Sequence, residues 1–274
     1  MERALLHHAL TQISMAAEDG GFHAPTIAEF FPPIVLFEGT PFALNRIMLI
    51  RLAVMLVLVL FVVLGTRALK VVPTRGSSLV EFPFNFVRNN IAYEALGEHD
   101  GKRFLPLITT IFFLVIGMNI TSVIPGLNIA GTSVIGLPLL LAVIAWVVFI
   151  YAGLKKNGVG FLKASLFPPG VPKALYLLLT PIEFLSTFIL RPVTLTLRLT
   201  MNMLVGHLLL VLFFSATWFF FFQQGPNGFT FFGLGTLVFG FAFTLFELFV
   251  AALQAYIFAL LTAVYIQLSL ADEH

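Results

Sequence analysis

Residues 174 to 222 read ALYLLLTPIEFLSTFILRPVTLTLRLTMNMLVGHLLLVLFFSATWFFFF, and residues 231 to 270 read FFGLGTLVFGFAFTLFELFVAALQAYIFALLTAVYIQLSL. Each stretch is far longer than the ~20 apolar residues that cross the ~30 Å hydrocarbon core of a membrane. As straight helices they would measure about 73 Å and about 60 Å, so each must tilt steeply, bend or break into two segments. The short connection between them predicts an antiparallel hairpin of two very long, steeply tilted helices.

The composition of the whole chain is that of a membrane protein. Hydrophobic residues make up 59% and charged residues 10% of the sequence, whereas a soluble domain has about 45–50% and about 25%. No Asp, Glu, Lys or Arg occurs from Phe104 to Leu154, or between Leu199 and Phe246. Uncharged segments of this length cannot be hidden inside a soluble domain of this size. We therefore predict an all-α polytopic membrane protein.

Several classes of function are excluded by what the sequence lacks. The chain has no Cys, which removes disulfides, thiol catalysis and Cys-ligated metals. The net charge of +2 is too small to indicate a nucleic-acid partner. Phosphate-binding glycine loops and the HExxH and GxSxG motifs are missing, and the N-terminus does not read as a signal peptide. We expect no cofactor, no metal and no covalent active site in this chain.

Three further segments are long enough for one membrane crossing each, so that about five membrane helices are expected; these segments are 47–66, 104–124 and 134–154. Between the first two, residues 83–96 predict an amphipathic helix that ends at Gly97. This helix is too short and too polar to span, so we expect it to lie in the membrane interface. Residues 47–274 then form a single membrane domain, which follows an irregular external segment, 1–46.

The distribution of lysine and arginine predicts the orientation in the membrane. Basic residues occur throughout 67–103 and in the loop 155–173, whereas the loops 125–133 and 223–230 contain none. The basic segments should face the cytoplasm. This places the N-terminus outside and, with five spans, the C-terminus in the cytoplasm.

Only four residues of the two long segments carry a formal charge, and they are Glu183, Arg191, Arg198 and Glu247. An ionisable group at membrane depth costs between about 3 and more than 10 kcal/mol, so it usually faces a partner or water. Glu183 has a structural interpretation, because Thr180 and Pro181 before it predict a capping box at a helix start. Arg191 precedes Pro192, which predicts a bend, with Arg191 as a local hydrogen-bond donor or a snorkelling group.

Arg198 lies far from both ends of its apolar stretch, and Asn202 follows one turn later on the same face. An arginine cannot lose its proton in a protein, and snorkelling does not explain one so deep in the membrane. A structural ion pair with Glu247 or Glu183 is one interpretation. The other, which we favour, is a fixed positive charge that faces an aqueous path or an anionic partner.

The second long helix carries a polar stripe. Glu247 and Gln254 share a face because seven residues are about 20° short of two turns, and Tyr265 lies close to that face. In an antiparallel hairpin, residues at equal depth have a nearly constant sum of residue numbers, which pairs Arg198 with Gln254 and His207 with Glu247. His207 is about 13 Å from Arg198 along the helix and on its opposite face. A histidine beside a buried glutamate can relay protons.

These residues also carry a resemblance to a known family. The segments LRLTMNM at 197–203, GH at 206–207 and LQAYIF at 253–258 are similar to the signature of subunit a of F-type ATP synthases. The resemblance covers roughly residues 80–270. It implies a multi-pass protein of a bacterial plasma membrane that contains no nucleotide site and takes part in ATP synthesis as a stator of a rotary motor.

The resemblance implies partners and a role for the ring-facing residues. In that family the essential arginine, which Arg198 matches, faces the carboxylates of the c-subunit ring and keeps two half-channels separate. Asn202 and Gln254 match polar residues beside it. The implied partners are the c subunits, the peripheral-stalk b subunits, the other ATP synthase subunits and membrane lipid.

The resemblance also assigns residues to the proton path. His207 and Glu247 match the pair that lines the outer half-channel, although their order is exchanged relative to one well-known version of the family. The exit half-channel is less defined, and Glu183 is the weakest candidate for it. Tyr265 is a further weak candidate for the proton path.

Two other classes of protein are compatible with a buried arginine. A secondary transporter or ion channel could use Arg198 to bind an anion, but such transporters often contain two related halves, and the sequence contains no internal repeat. A structural membrane anchor is the other alternative. An anchor would not require Arg198, His207 and Glu247 at matching depths.

Overall fold

The computed structural model describes residues 25–26, 30, 32–37, 39, 43–67, 75–124, 126–158, 160–167, 175–223 and 230–271. Its helices are α1 (Arg46–Arg67), α2 (Arg75–Val87), α3 (Glu94–Ile120), α4 (Gly136–Asn157), α5 (Gly160–Leu166), α6 (Tyr176–Phe184), α7 (Arg191–Trp218) and α8 (Thr230–Leu270). Three π-helical segments join or extend them, and these are π1 (Arg88–Tyr93), π2 (Leu185–Leu190) and π3 (Phe219–Gln223).

Within these described ranges, five helices are long and apolar enough to cross a membrane, namely Arg46–Gly65, Glu81–Ile120, Gly136–Asn157, Tyr176–Gln223 and Thr230–Leu270. The all-α polytopic fold predicted from the sequence is therefore confirmed. The last two comprise 48 and 41 residues, which correspond to about 72 Å and about 60 Å. Both are continuous, so the alternative in which each breaks into two segments is not adopted.

The helix before the second crossing is longer than predicted. It begins at Arg75 as α2, continues through π1 and extends into α3, whereas the sequence placed an interfacial helix at 83–96. Gly97 interrupts this run with φ 73° and ψ 174°, a conformation that only glycine adopts without strain. The predicted end of the helix at Gly97 thus corresponds to a kink, after which the chain continues directly into the membrane span.

The predicted capping box at Thr180 is wrong. Thr180 lies inside α6, which begins at Tyr176, and its hydroxyl donates to the carbonyl of Leu166 over 3.2 Å. In an apolar environment an unpaired backbone N–H or C=O group is costly, and a helix pairs these groups within itself. The apolar residues before Thr180 therefore also adopt helix, so that α6 begins before Thr180. Glu183 is consequently free of the capping role and needs another interpretation.

The proline within the long helical run is accommodated by a local change of helix type. Pro192 has no N–H to donate to the carbonyl of Phe188. The structure forms the π2 segment, Leu185–Leu190, directly before this proline. In a π-helical turn a carbonyl accepts from the N–H five residues later, one residue further than in an α-helix. The helix can therefore continue past Pro192 instead of ending there.

A stripe of small side chains lets α8 pack closely against its neighbours. Ala251, Ala255, Ala259 and Ala263 follow one another at four-residue intervals, and all are fully buried. Three of them belong to a core cluster that also contains Leu199 of α7. Small residues at such spacing allow close backbone approach, which drives helix association where apolar burial contributes nothing.

The last two helices form the predicted antiparallel hairpin. Thr217 and Thr236 join them through a hydroxyl–hydroxyl hydrogen bond of 2.9 Å, and the ring of Phe213 stacks on that of Phe239 at 6.2 Å. In both pairs, the sum of the two residue numbers is nearly the same as in the pairs predicted from the sequence. The register of the hairpin is therefore the one expected.

Two arginines hold the connection between α3 and α4. Arg46 donates to the carbonyls of Gly126 and Leu127 at 2.8 Å each. Arg51 donates to the carbonyls of Gly131 and Val134 at 2.8 Å and 3.1 Å. Both arginines lie in the first turns of α1, so their side chains satisfy carbonyls of a loop that has no regular secondary structure of its own.

Packing divides the chain into two compact units, one of 1–31 with 205–247 and one of 32–204 with 248–274. The predicted external segment, 1–46, lies mostly outside the described residues. Its described part departs from the irregular structure expected, because strand β1 (Ile34–Leu36) pairs antiparallel with β2 (Leu44–Asn45). The single membrane domain expected for 47–274 stays a prediction.

The contact between α4 and α5 leads to a prediction about stability. A Cβ at Gly153 would lie 2.7 Å from the ring carbons of Phe161, closer than packed atoms allow. We expect Gly153→Ala to lower the free energy of unfolding by about 1–3 kcal/mol. Thermal unfolding of the purified protein in lipid nanodiscs measures this effect.

Gly136→Ala is the matched control, because a Cβ at Gly136 would have no atom within 4 Å. This variant should be neutral or slightly stabilising, since alanine favours helix more than glycine does. Equal unfolding temperatures for Gly153→Ala and the wild type would contradict the close packing of α4 on α5.

Candidate functional site

Arg198 projects from an otherwise apolar face of α7. Its side chain is exposed, as are those of Leu197 at 40% and Met201 at 50%. The opposite face of the same helix turn is buried through Leu195 and Leu199. Among the described residues, no acidic side chain lies within 4.0 Å of the guanidinium. The ion pair left open by the sequence is thus absent from this part of the chain, and the charge faces outwards.

The predicted neighbours of Arg198 are brought together by a hydrogen bond between helices. The amide nitrogen of Asn202 donates to the side-chain oxygen of Gln254 over 3.0 Å. Asn202 is exposed like Arg198, one turn away, whereas Gln254 is only 3% exposed. The amide nitrogen of Gln254 has no hydrogen-bond partner among the described residues. The site therefore combines a fixed positive charge with two orientable amides.

His207 and Glu247 are both buried in the unit of 205–247, at 5% and 2% exposure. A Cβ at Gly206 would lie 3.2 Å from the carboxyl carbon of Glu247, so the absence of a side chain there admits the carboxyl group against α7. The ring of Phe30 packs edge-on to the His207 imidazole, with 5.1 Å between centroids. The two helices thus bring the carboxyl group of Glu247 next to Gly206, the residue that precedes His207, and both titratable side chains are buried.

A second group of polar residues surrounds a cavity of about 190 Å³ in the other unit, and its lining residues are Phe149, Phe161, Ser165, Glu183, Thr187, Arg191 and Leu268. A carboxylate, a guanidinium and two hydroxyls line this space. A cavity of this size and polarity has room and partners for several water molecules. The arrangement can therefore hold a hydrated path between oppositely charged side chains.

Arg191 is positioned in this cavity by two aromatic rings. Its guanidinium carbon lies 5.1 Å from the ring centroid of Phe149 and 5.1 Å from that of Tyr265. Contacts of this kind attract a guanidinium to a ring face. They join residues of α4, α7 and α8, and Thr187 of π2 is also buried and lines the same cavity.

The predicted site residues thus fall into three groups. Asn202, one turn from Arg198, is joined to Gln254 by a hydrogen bond, and Glu247 lies beside Gly206, the residue before His207. Tyr265, which was expected to lie close to the polar face of α8, contacts Arg191 with its ring. Glu183 was expected to cap a helix or to line an exit path, and it lines the cavity that contains Arg191.

Three of the four polar residues that line the cavity were not predicted from the sequence as site residues. Arg191 was interpreted as a local or snorkelling group, and Ser165 and Thr187 were not singled out. Thr187 and Arg191 are four residues apart, a spacing that places them on one helix face, and this signal was available. Ser165 comes from α5, a separate short helix, and its approach depends on how the chain folds back, which no local pattern indicates.

Comparison with known proteins identifies the family. The family model for the ATP synthase A chain matches residues 47–267. The chain is 53% identical to ATP synthase subunit a of Rhodococcus erythropolis over 98% of both chains. It is 39% identical to ATP synthase subunit a of Frankia alni, over 90% of this chain and 86% of the relative. The corresponding protein of Streptomyces lividans is 36% identical, over 93% and 90%. This chain is a multi-pass membrane protein that belongs to the ATP synthase subunit a family.

Proposed function

We propose that this chain forms two separate proton half-channels beside a ring of c subunits, with Arg198 between them. The observation that carries the proposal is an exposed guanidinium on an apolar helix face, with no described acidic group within 4.0 Å. An arginine at membrane depth requires water or a partner of opposite charge. A carboxylate on a neighbouring chain supplies such a partner, and a ring of identical subunits supplies one after another.

The electrostatics of such a ring explain how Arg198 would couple rotation of the ring to proton transfer. A ring carboxylate that faces lipid must be protonated, because an unpaired anion in hydrocarbon is prohibitively costly. Next to Arg198, which cannot lose its proton, the same carboxylate is stable as an anion. A ring subunit therefore passes Arg198 ionised and enters lipid neutral, so rotation requires a proton to be taken up on one side and released on the other.

The entry path is assigned to His207 and Glu247. Both are buried titratable groups of the unit of 205–247, in which Gly206 leaves room for the Glu247 carboxyl group. An imidazole and a carboxyl group can each take up and release a proton. The pair can therefore pass protons on without either group remaining charged in an apolar environment.

The exit path is assigned to the cavity lined by Glu183, Thr187 and Arg191. Hydroxyls and water relay a proton, and the carboxylate accepts it before it reaches bulk water. The guanidinium of Arg191, held on two aromatic rings, lines the same cavity as this carboxylate. Glu183, weak as a candidate from sequence, becomes the acceptor in this scheme.

The same proposal includes the orientation and the partners. The N-terminus lies outside and the C-terminus in the cytoplasm, so protons enter from outside during ATP synthesis. Each elementary charge that crosses releases about 2.3 kcal/mol per 100 mV of membrane potential. The peripheral-stalk b subunits hold this chain still while the c ring turns against it, because a torque needs a fixed counterpart.

The first prediction concerns Arg198. Arg198→Ala should abolish ATP-driven proton pumping, since ring carboxylates would no longer be ionised and separated at this position. Pumping is measured by acidification of vesicles that contain the purified assembly. Arg88→Ala is the control, because Arg88 is also an exposed arginine of this chain but lies outside both proposed paths. Intact pumping by Arg198→Ala would refute the ring-facing role.

The second prediction concerns Glu247. Glu247→Gln should reduce proton flux by about tenfold or more, because a relay group loses its exchangeable proton while its shape is kept. The change should also remove one ionisation from the dependence of flux on pH. Glu98→Gln is the control, because Glu98 forms only an exposed pair with Lys102. An unchanged flux–pH profile for Glu247→Gln would exclude Glu247 from the path.

The third prediction tests the exit path. Thr187→Leu replaces a buried hydroxyl of the cavity by an apolar group of larger volume, so proton flux should fall about tenfold because water is displaced. Thr194→Leu is the control, since the exposed Thr194 hydroxyl bonds backbone carbonyls of its own helix and does not line the cavity. Equal flux in the two variants would contradict a path through this cavity.

A further inference from the structure

A large apolar groove lies between α1 and α3, away from every residue of the proposed proton path. Its volume is about 540 Å³, and it is lined by α1 between Met55 and Val63, by Phe84 of α2, and by α3 between Leu105 and Leu114, which includes Thr109 and Thr110. The volume lies within the range of about 300–1,000 Å³ that is typical of small-molecule sites. Apart from two threonines the lining is hydrocarbon, so only an apolar group fits it.

The length of the groove matches one leaflet of a membrane. Its lining extends from Leu105 to Leu114 on α3 and from Met55 to Val63 on α1, distances of about 13 Å and about 12 Å along the helices. Half of the ~30 Å hydrocarbon core is about 15 Å. A transmembrane helix of a partner would need a groove through the whole core. An acyl chain of one leaflet needs only half of it.

The groove ends beside two basic side chains. Lys102 lies seven residues before Thr109, and Arg103 lies seven before Thr110, so both basic residues share the face of α3 that lines the groove. Helical side chains incline towards the N-terminus, which directs both away from the apolar lining. Lysine and arginine at this place provide the charge that an anionic headgroup requires.

Both basic side chains are accessible from outside the protein. Lys102 is 65% exposed, and its 3.3 Å pair with Glu98 joins two exposed side chains, a type of ion pair that contributes little stability. Arg103 is also exposed, and its guanidinium lies 5.2 Å from the centroid of the Phe104 ring. Neither contact uses up the hydrogen-bond donors of these groups, which can bind phosphate oxygens.

We propose that the groove binds one anionic phospholipid. One acyl chain fills the space between α1 and α3, and the phosphate is bound by Lys102 and Arg103. The lipid completes the packing between α1 and the rest of the chain, since most of the apolar surface of α1 is exposed in the structure. This inference does not depend on the proposed proton path and can fail or hold independently of it.

Photocrosslinking in the intact ATP synthase tests the proposal. The purified assembly is placed in phosphatidylcholine nanodiscs that contain a small fraction of phosphatidylglycerol with a diazirine on one acyl chain. After illumination, peptide mass spectrometry locates the labelled residues. We expect labelling of groove residues such as Val59 and Thr109 in excess over Leu140, an exposed residue of α4 outside the groove. Equal labelling of all exposed apolar residues would overturn the proposal.

The charged end of the groove is tested by neutralisation. Arg103→Gln and Lys102→Gln should each reduce the labelling of the groove by phosphatidylglycerol, relative to a phosphatidylcholine probe, by about fivefold. Lys155→Gln removes an exposed basic residue from the end of α4 and should leave this ratio unchanged. A ratio that does not respond to either groove variant would show that no anionic headgroup binds there.

The apolar end is tested by filling the groove. Val59→Phe places a ring in the groove, whereas Leu60→Phe places one on the neighbouring exposed surface of α1. Val59 is 58% exposed and Leu60 is 47% exposed. Both changes lie in a lipid-facing region, so both variants should fold and assemble. Val59→Phe alone should reduce labelling of Thr109. Loss of labelling in both variants, or crosslinks from Thr109 to a helix of another subunit instead of lipid, would overturn the proposal.

Discussion

The guanidinium of Arg198, which cannot lose its proton, lies within a continuous helical run of 48 residues whose other charged residues are Glu183 and Arg191. Its charge would be costly in hydrocarbon without a counter-charge or water. The described part of the chain places no acidic side chain within 4.0 Å of Arg198, which is exposed one turn from the Asn202–Gln254 hydrogen bond. Under the proposed function, a carboxylate of a partner subunit supplies the counter-charge at this face, and the chain belongs to the ATP synthase subunit a family.

The polar groups could be placed at such depth only because the two long helices pack closely. The alanine stripe of α8 removes side-chain bulk along the contact, and Gly206 does the same beside Glu247. Close approach lets short polar side chains such as Asn202 reach across, and buried polar groups need such partners. The small residues therefore allow the close helix packing in which polar side chains within the membrane can reach hydrogen-bond partners.

Some interruptions of the helices follow from a single residue, whereas others depend on the environment of the whole segment. Gly97 was expected to end a helix and does interrupt one, since its positive φ is a local requirement. Thr180 was expected to begin a helix and does not, because an apolar environment favours a longer helix over a capped end. Pro192 was expected to bend its helix, and the π2 segment before it is the local adjustment that the missing N–H calls for.

By itself the sequence determined the membrane crossings, the ionisable residues within them and the register of the last two helices. Those features follow from apolar length and helical periodicity, which are properties of neighbouring residues. Only the tertiary structure decided that Ser165, Glu183 and Arg191 share a cavity, and that an apolar groove between α1 and α3 ends at a basic pair. Both features depend on contacts between separate helices. Packing sets the distances between those helices, and the periodicity of residues along a single helix does not predict them.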